Sequence, residues 1–286
     1  IELKPAVSLY YLELSPPTVH DTLGDFDRLR KTLSERYHLP LLHIDHHALL
    51  KLPSVLRQRD WKVTVSVWME EGIIDIRPAK VEDIYGLAID IGTTTVAGYL
   101  CNLTSGEVMA AESMMNPPVT YGEDVMSRIT YVITHPVDGL KKLHQSIIDG
   151  LNGLIQTVTG RCNLSPEDIL ELTVVGNTTM HHLFLNIDPQ YLGIAPFPPA
   201  IHRSLNVKAR DLGLKVHPSA NVHILPIEAG FVGADNVGAL LAEEPYRQEE
   251  TVLLIDVGTN GELVLWNRER LLSSSCATGP AFEGTH

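Results

Sequence analysis

The sequence predicts an α/β protein in which two related subdomains follow a smaller α+β domain. Three observations predict this fold class. A strand–turn–strand pattern around Asp90 recurs around Asp256, and apolar strands alternate with segments of helical periodicity between the two copies. The region before Gly86 is different, with helical segments followed by an alternating hairpin. The length of 286 residues also favours two or more compact units.

The composition is that of an ordinary folded protein, and its charge restricts the ligands. Hydrophobic residues make up 44% of the chain and charged residues 20%. The 35 acidic and 22 basic side chains give a formal net charge of −13, which repels a phosphodiester backbone. We therefore expect no nucleic-acid partner. A nucleotide stays open, because loop amides and a metal ion can neutralise its phosphates locally.

The cysteines Cys101, Cys162 and Cys276 are odd in number and widely spaced. This usage argues against a disulfide framework and favours a reducing, cytoplasmic location. Three thiols cannot supply the four ligands of a conventional iron–sulfur cluster. We expect Cys276 to be a small buried side chain rather than a reactive thiol.

The apolar runs of the sequence indicate whether it spans a membrane, and its two ends indicate whether it is part of a longer protein. No apolar run reaches the length of about twenty residues that spans a bilayer, so we expect no membrane association. The chain starts at Ile1 and stops at His286 within a predicted element. We therefore expect it to be part of a longer protein.

Four segments are predicted along the chain. Residues 1–19 form a linker or an extended strand that ends at a proline pair, and residues 20–84 form the small α+β domain. Residues 85–246 form the first nucleotide-type subdomain, and residues 247–286 begin a second copy that is incomplete.

Periodicity predicts the elements within these segments. Helices are expected over residues 21–36, 46–57, 123–134, 138–159 and 233–243. Strands are expected over residues 61–68, 72–76, 87–91, 96–100, 107–115, 172–175 and 222–225. The apolar stripe along the 138–159 helix is most simply explained as core.

The repeated loops carry the chemistry that the sequence predicts. Residues 253–261 align without gaps with residues 87–95, at an offset of 166 positions. Each copy is an apolar strand that ends in an aspartate and turns back through a glycine, which allows a ligand to approach backbone amides closely. Two facing copies would bring Asp90 and Asp256 together, where they repel by about 1 to 4 kcal/mol unless a cation intervenes. A hydrated Mg²⁺ fits between them.

The predicted site follows from these loops. Asp90 and Asp256 are the predicted catalytic carboxylates and hold Mg²⁺ through water. The predicted phosphate-binding residues are Gly92, Thr93, Thr94, Thr95, Gly258, Thr259, Asn260 and Gly261. A tight hairpin would explain one such loop without any ligand, whereas two copies with matching flanking strands favour a nucleotide.

Other polar residues have two interpretations each. Glu228 precedes the small-residue helix over 233–243, where it can orient the water that attacks the γ-phosphate or can stabilise the helix N-terminus. Asp235 is an alternative for the catalytic role. Asn177 has the residue type of a helix cap, the interpretation that we prefer, and can instead face the nucleotide cleft.

The repeated loops resemble the two phosphate motifs of the actin, sugar-kinase and heat-shock ATPase superfamily. More narrowly, several segments are similar to the reductive activators of corrinoid-dependent methyltransferases, and together they span nearly the entire chain. These segments are residues 60–65, 85–96, 175–182, 233–239 and 275–284. The resemblance implies a ribonuclease-H-like core whose second lobe is incomplete in this sequence.

The resemblance also implies a function. Such activators use ATP and Mg²⁺ to drive an electron from their own [2Fe–2S] cluster to cob(II)alamin on a partner corrinoid protein or methyltransferase component, which restores cob(I)alamin. The cluster is expected only in an N-terminal domain that this sequence lacks, and the adenosine motif in a C-terminal part that it also lacks. The resemblance leaves room for a homodimer.

Three alternatives remain open from the sequence. An electron activator of acyl-CoA dehydratases would carry a [4Fe–4S] cluster at a dimer interface, which the absence of paired cysteines disfavours. An actin-like or chaperone-like module would use ATP to change lobe closure without a redox step. A small-molecule kinase would transfer the phosphate to an acceptor other than water.

Overall fold

The computed structural model describes residues 3–39, 42–258 and 260–277. Its strands are β1 Val7–Glu13, β2 His43–Ile44, β3 Lys62–Trp68, β4 Gly72–Pro78, β5 Tyr85–Ile91, β6 Thr95–Asn102, β7 Glu107–Met115, β8 Ile169–Gly176, β9 Leu205–Lys208, β10 Asn221–Ile224, β11 Val252–Val257, β12 Asn260–Trp266 and β13 Leu271–Ala277. Its α-helices are α1 Asp25–Tyr37, α2 His46–Gln58, α3 Val125–Thr134, α4 Gly139–Arg161, α5 Thr178–Phe184, α6 Ala209–Leu212 and α7 Ala234–Glu243. None of the described helices is long and apolar enough to cross a membrane.

The small domain is a four-stranded sheet with the order β1-β3-β4-β2, packed against α1 and α2. Alternation along β3 buries Val63, Val65 and Val67 against apolar residues of the two helices. The segment predicted as a linker over residues 1–19 supplies β1, which pairs with β3 along its whole length. Val7 and Leu12 of β1 are fully buried. This strand therefore belongs to the sheet of the small domain.

The first subdomain, which comprises β5 to β10 and α3 to α7, contains a six-stranded sheet with the order β7-β6-β5-β8-β10-β9. β5, β8 and β10 are parallel, whereas β6, β7 and β9 run antiparallel to their neighbours. The first five strands of this order have the ribonuclease-H-like arrangement, and β9 adds an edge. The predicted fold class is confirmed.

The long helix α4 packs against β6 and β7 of this sheet. Leu143, Ile147 and Leu151 are buried as the apolar stripe predicts. Gly98 of β6 lies directly beneath the helix, because a Cβ atom there would come within 2.5 Å of Leu154 Cδ2. Close packing of α4 thus fixes β6, the strand that follows the first repeated loop.

The third sheet, β11-β12-β13, repeats the antiparallel arrangement of β5-β6-β7. Leu87 and Ile89 of β5 are 3% and 2% exposed, whereas the equivalent Leu253 and Ile255 of β11 are 56% and 53% exposed. The two copies therefore share strand geometry but differ in the solvent exposure of equivalent residues, because α4 packs on the six-stranded sheet only.

Two buried aspartates join the small domain to the first subdomain. Asp45 caps α2 by accepting a hydrogen bond from the His47 amide, and it also accepts from Ser219 Oγ at 2.8 Å and from Arg210 Nη1 at 3.0 Å. Asp75 of β4 is fully buried, and its carboxylate lies 3.3 Å from His217 Nε2. Burial alone would raise the pKa of Asp75, but the contact with His217 and the charge of Lys51 hold it below its usual value.

Candidate functional site

Both repeated loops face one cavity of about 250 Å³. The cavity lies where β5 and β8 end, at the carboxyl edge of the parallel strands, which is the usual ligand position in open α/β sheets. Its lining residues are Asp90, Gly92, Thr93, Thr94, Thr95, Asn177, Asp235, Asp256, Gly258, Asn260 and Glu262. The structure thus brings together most of the residues that the sequence predicted for the site.

The first repeated loop is tight and is held from neighbouring elements. A Cβ atom at Gly92 would lie 2.7 Å from the carbonyl oxygen of Thr95, so only glycine fits this turn. The buried side chain of Asn116 donates to the Gly92 carbonyl at 2.6 Å, and its backbone amide donates to the Thr94 carbonyl at 2.7 Å. These bonds hold the loop in one conformation.

Asn177 serves two purposes that the sequence analysis treated as alternatives. Its Oδ1 accepts from the Met180 amide at 3.0 Å and so caps α5, as predicted. Its Nδ2 donates to Thr93 Oγ1 at 2.9 Å, and its side chain lines the cavity. The cap therefore joins β8 to the first loop.

The start of α7 lies directly against the end of β8. A Cβ atom at Gly233 would come within 2.5 Å of Asn177 Cα and 2.6 Å of the Gly176 carbonyl oxygen. Glycine at this position permits the approach, which brings Asp235, in the first turn of α7, into the cavity.

Four carboxylates line the cavity, and none of the ion pairs among the described residues includes them: Asp90, Asp235, Asp256 and Glu262. The side chain of Asp90 is exposed where it lines the cavity. Partial desolvation by the neighbouring protein, together with the charges of Asp235 and Asp256, raises the pKa of Asp90 to about 6. Burial also raises the pKa of Asp235, with Asp256 adding to the effect.

Similar forces act on Glu262 of β12. Burial raises the pKa of its carboxyl, a hydrogen bond from Ser275 Oγ at 3.1 Å opposes this, and the charges of Asp235 and Asp256 add to the rise. Within the described part of the chain, no three His, Cys, Asp or Glu side chains are arranged to hold a metal ion directly. Asp90, Asp235, Asp256 and Glu262 therefore concentrate negative charge in the lining of the cavity.

Comparison with known proteins decides the family. The family model for the RACo middle region matches residues 85–248, that for the RACo linker region matches residues 1–83, and that for the C-terminal domain of RACo, the ASKHA domain, matches residues 250–286. The chain belongs to the RACo family. The resemblance that the motifs indicated is thus confirmed.

Individual RACo relatives agree with the family match. A solved structure of a reductive activator for corrinoid, iron–sulfur protein is 37% identical, superposes with a TM-score of 0.90, and covers 100% of this chain and 46% of its own. The corrinoid activation enzyme RamQ of Eubacterium limosum is 35% identical over 98% of this chain and 46% of its own length. The Co(II) methylated amine-specific corrinoid protein reductase of Methanosarcina barkeri is 26% identical over 70% of this chain and 37% of its own length. The chain spans less than half the length of these RACo relatives.

In this RACo chain Glu228 lies beside the cavity rather than in its lining. Its Oε1 accepts from Asn236 Nδ2 of α7 at 3.0 Å, and its Oε2 accepts from the Ser273 hydroxyl of β13. Glu228 therefore bridges the first subdomain and the third sheet, while Asp235 is the carboxylate of this region that reaches the cavity.

The second loop of the RACo chain is partly described. Gly258 and Asn260 line the cavity, and the Gly258 amide donates to the Asn260 carbonyl at 2.9 Å. Gly261 is buried within β12, where it pairs with Val257, and is not among the lining residues. Thr259 lies outside the described residues. Gly261 thus belongs to the strand that returns from the loop rather than to the lining of the cavity.

Sequence reasoning missed three residues of this site: Glu262, Asn116 and Arg128. Alternation along β12 places Glu262 on the same side as Asn260, so period-2 reasoning could have found it. Asn116 and Arg128 contact the loop from 24 and 35 positions away, and no local pattern indicates such contacts.

The prediction that Cys276 is buried was wrong. Its side chain is exposed on β13, an edge strand of the third sheet, and its thiol contacts the Gly261 carbonyl at 3.4 Å. No described element covers this strand on its outer edge, so the small size of cysteine does not bury it.

Proposed function

We propose that this chain is the Mg²⁺–ATP-binding part of a protein that reactivates corrinoid proteins by reducing cob(II)alamin to cob(I)alamin. One observation carries the proposal beyond family membership. Two copies of an Asp–x–Gly loop line one cavity, with carboxylates that no described cation neutralises. Relatives named as a corrinoid activation enzyme and a corrinoid protein reductase support the reaction class.

The residues present fit a nucleotide and a metal ion. Asp90 and Asp256 would hold Mg²⁺ through its water molecules, which suits carboxylates that line a cavity without converging on one point. A bound Mg²⁺ would supply positive charge that offsets both these carboxylates and the phosphates. Residues 92–95 and the loop around Gly258 and Asn260 would bind phosphate oxygens through amides, hydroxyls and the Asn260 side chain.

Asp235 is our first candidate for orienting the attacking water. It lines the cavity, it stands in the first turn of α7, and burial raises the pKa of its carboxyl, which makes it a better proton acceptor than an ordinary aspartate. Glu228, predicted from sequence for this role, stays a candidate. Its bonds to Asn236 and Ser273 suit it better to transmitting the state of the cavity between α7 and β13.

In this proposal the electron comes from outside this chain. Cys101 and Cys162 lie on or beside elements of the first subdomain, and Cys276 lies in the third sheet. We propose that a [2Fe–2S] cluster on another domain of the intact protein gives one electron to Co(II), which becomes Co(I). ATP would shift the relative positions of the two loop-bearing sheets and so favour the complex with the corrinoid partner.

The test uses the intact protein with its reduced cluster and a corrinoid protein in the Co(II) state. Formation of cob(I)alamin is followed by absorbance with and without MgATP, and ATP hydrolysis is followed by phosphate release. We expect ATP-dependent reduction that Asp256→Asn abolishes. ATP-dependent complex formation without any cobalt reduction would instead favour a nucleotide-gated binding module.

A further inference from the structure

Among the described residues, Arg128 is a fully buried cation with no carboxylate at ion-pair distance. It lies in α3, its exposed fraction is 0%, and it takes part in none of the ion pairs among the described residues. Burial lowers its pKa to about 10, an effect that the charge of Asp124 partly opposes. The guanidinium is therefore still charged at neutral pH, in a place where an unpaired charge is costly.

The donors of Arg128 connect three parts of the first subdomain. Nε donates to the Gly122 carbonyl at 2.9 Å, and Nη1 contacts Met180 Sδ of α5 at 3.0 Å. Nη2 donates to the Thr93 carbonyl at 2.6 Å, the shortest of the three contacts. The planar fork of arginine suits such divergent acceptors, and a lysine ammonium could reach only some of them.

The contact at Thr93 places the charge directly behind the cavity. Thr93 lines the cavity, and its hydroxyl accepts from Asn177. The acceptors of Arg128 are a thioether and backbone carbonyls, which offset only part of its desolvation. An anion on the other side of the loop would offset more of it, and phosphate groups have the required charge.

We propose that Arg128 is a positioning residue for the phosphate groups of the nucleotide: it fixes the Thr93 carbonyl, and its buried charge favours phosphate at residues 92–95. This rests on the proposed nucleotide function of the cavity. A purely structural role would weaken the binding of all nucleotides alike, whereas positioning of the phosphates predicts a graded loss of affinity. Loss of Arg128 should weaken ligands in proportion to the number of their phosphates.

Arg128→Met and Arg128→Lys in the intact protein test the proposal, with Arg28→Met as the matched control. Arg28 is also a buried arginine, but it lies in α1 of the small domain and pairs with Asp21 at 2.6 Å. Calorimetry would give the affinities for ATP, ADP and AMP in the presence of Mg²⁺. Hydrogen exchange of the peptide over residues 88–98, without nucleotide, would report the loop directly.

We expect Arg128→Met to weaken ATP binding by about tenfold or more, the scale of a lost hydrogen bond to a charged group. AMP binding should change much less, KM for ATP should rise more than kcat falls, and the loop amides should exchange faster. Arg128→Lys should restore part of the ATP affinity, because it keeps the charge. Arg28→Met should leave the loop exchange and the ATP-to-AMP ratio unchanged.

If Arg128→Met does not fold, Arg128→Lys decides, since it keeps the charge but cannot reach all three acceptors of the guanidinium. It should accelerate exchange of the loop. Unchanged loop exchange, or equal losses for ATP and AMP, would overturn the positioning role. If the parent protein binds no nucleotide, the proposed function fails, and loop exchange alone then decides whether Arg128 positions the loop.

Discussion

The four carboxylates around the cavity repel one another, because no cationic side chain of the described residues pairs with them. The repeated loop explains two of them, Asp90 and Asp256, which end equivalent strands. Asp235 and Glu262 come from α7 and β12. Burial raises the pKa of Asp90, the charges of Asp235 and Asp256 add to the rise, and a divalent cation would relieve the repulsion.

Affinity for MgATP should therefore depend on pH through Asp90. In the metal-free protein the pKa of this carboxyl is raised to about 6, so its proton competes with the cation as pH falls through that value. We expect affinity for MgATP, measured by calorimetry from pH 5 to pH 8, to fall towards acid. The part of this dependence that belongs to Asp90 should disappear in Asp90→Asn, and an identical pH profile in the variant would contradict the assignment.

The two candidates for orienting water can be separated by amide substitutions that keep side-chain shape. Asp235→Asn should leave ATP bound but slow phosphate release by about 100-fold or more, the usual scale of general acid–base catalysis. Glu228→Gln should change hydrolysis less and should chiefly alter ATP-dependent cob(I)alamin formation, because it weakens the bridge to Ser273. Both steps would be measured on the same preparations. The reverse outcome would return the catalytic role to Glu228.

For helices and strands, the sequence predicts the features that depend on the pattern of neighbouring residues. The apolar alternation of β3 and β5, the α4 stripe and the repeat at Asp90 and Asp256 are local, and the structure contains them. Contacts between distant positions were not predictable in this way. Asp45 has the residue type of a helix cap, but its contacts with Arg210 and Ser219 join positions more than 160 residues apart.

Buried polar residues within strands are a second feature that the sequence does not reveal. Glu171 of β8 is buried, and its Oε2 has no hydrogen-bond partner among the described residues. Burial raises its pKa to about 8 against smaller opposing effects of Trp68 and Lys208. The apolar run around it predicted the strand correctly. No pattern in that run indicates whether the carboxyl is ionised.

Glu171→Gln should stabilise the protein most at alkaline pH. The folded state keeps Glu171 protonated to about pH 8, while the unfolded chain ionises it from about 4.5, so the residue lowers stability increasingly as pH rises across this window. The variant removes this loss, and each kcal/mol recovered should raise Tm by about 2–4 °C. Calorimetric scans at pH 5 and pH 8 would test this. An equal shift of Tm at both pH values would show that the carboxyl is not protonated in the fold.

At the scale of the whole molecule, the cavity is the place where the first subdomain and the third sheet meet. Asp90 and Asp256 approach it from different sheets, and the Glu228–Ser273 contact joins the same two parts. The small domain is fixed to the first subdomain through Asp45 and Asp75. A nucleotide between the loops would therefore act on the position of the third sheet relative to the rest.

The proposed separation of redox and nucleotide parts gives a prediction for the 286-residue chain itself. Purified chain should be colourless and free of iron, because Cys101, Cys162 and Cys276 do not form a four-thiolate set. Elemental analysis and the visible spectrum would be compared with those of the intact protein. Stoichiometric iron with charge-transfer absorption in the chain alone would contradict this division of roles.

The central claim is that Asp90 and Asp256 act on one hydrated cation shared between two loops. The most direct measurement is a double-mutant cycle of MgATP affinity by calorimetry, with the parent, Asp90→Asn, Asp256→Asn and the double variant in the intact protein, each in Mg²⁺ and in EDTA. We predict that each single change removes most of the Mg²⁺-dependent affinity and that the double change removes little more, because both carboxylates serve the same ion. Additive losses, or affinities unchanged from the parent, would contradict the account.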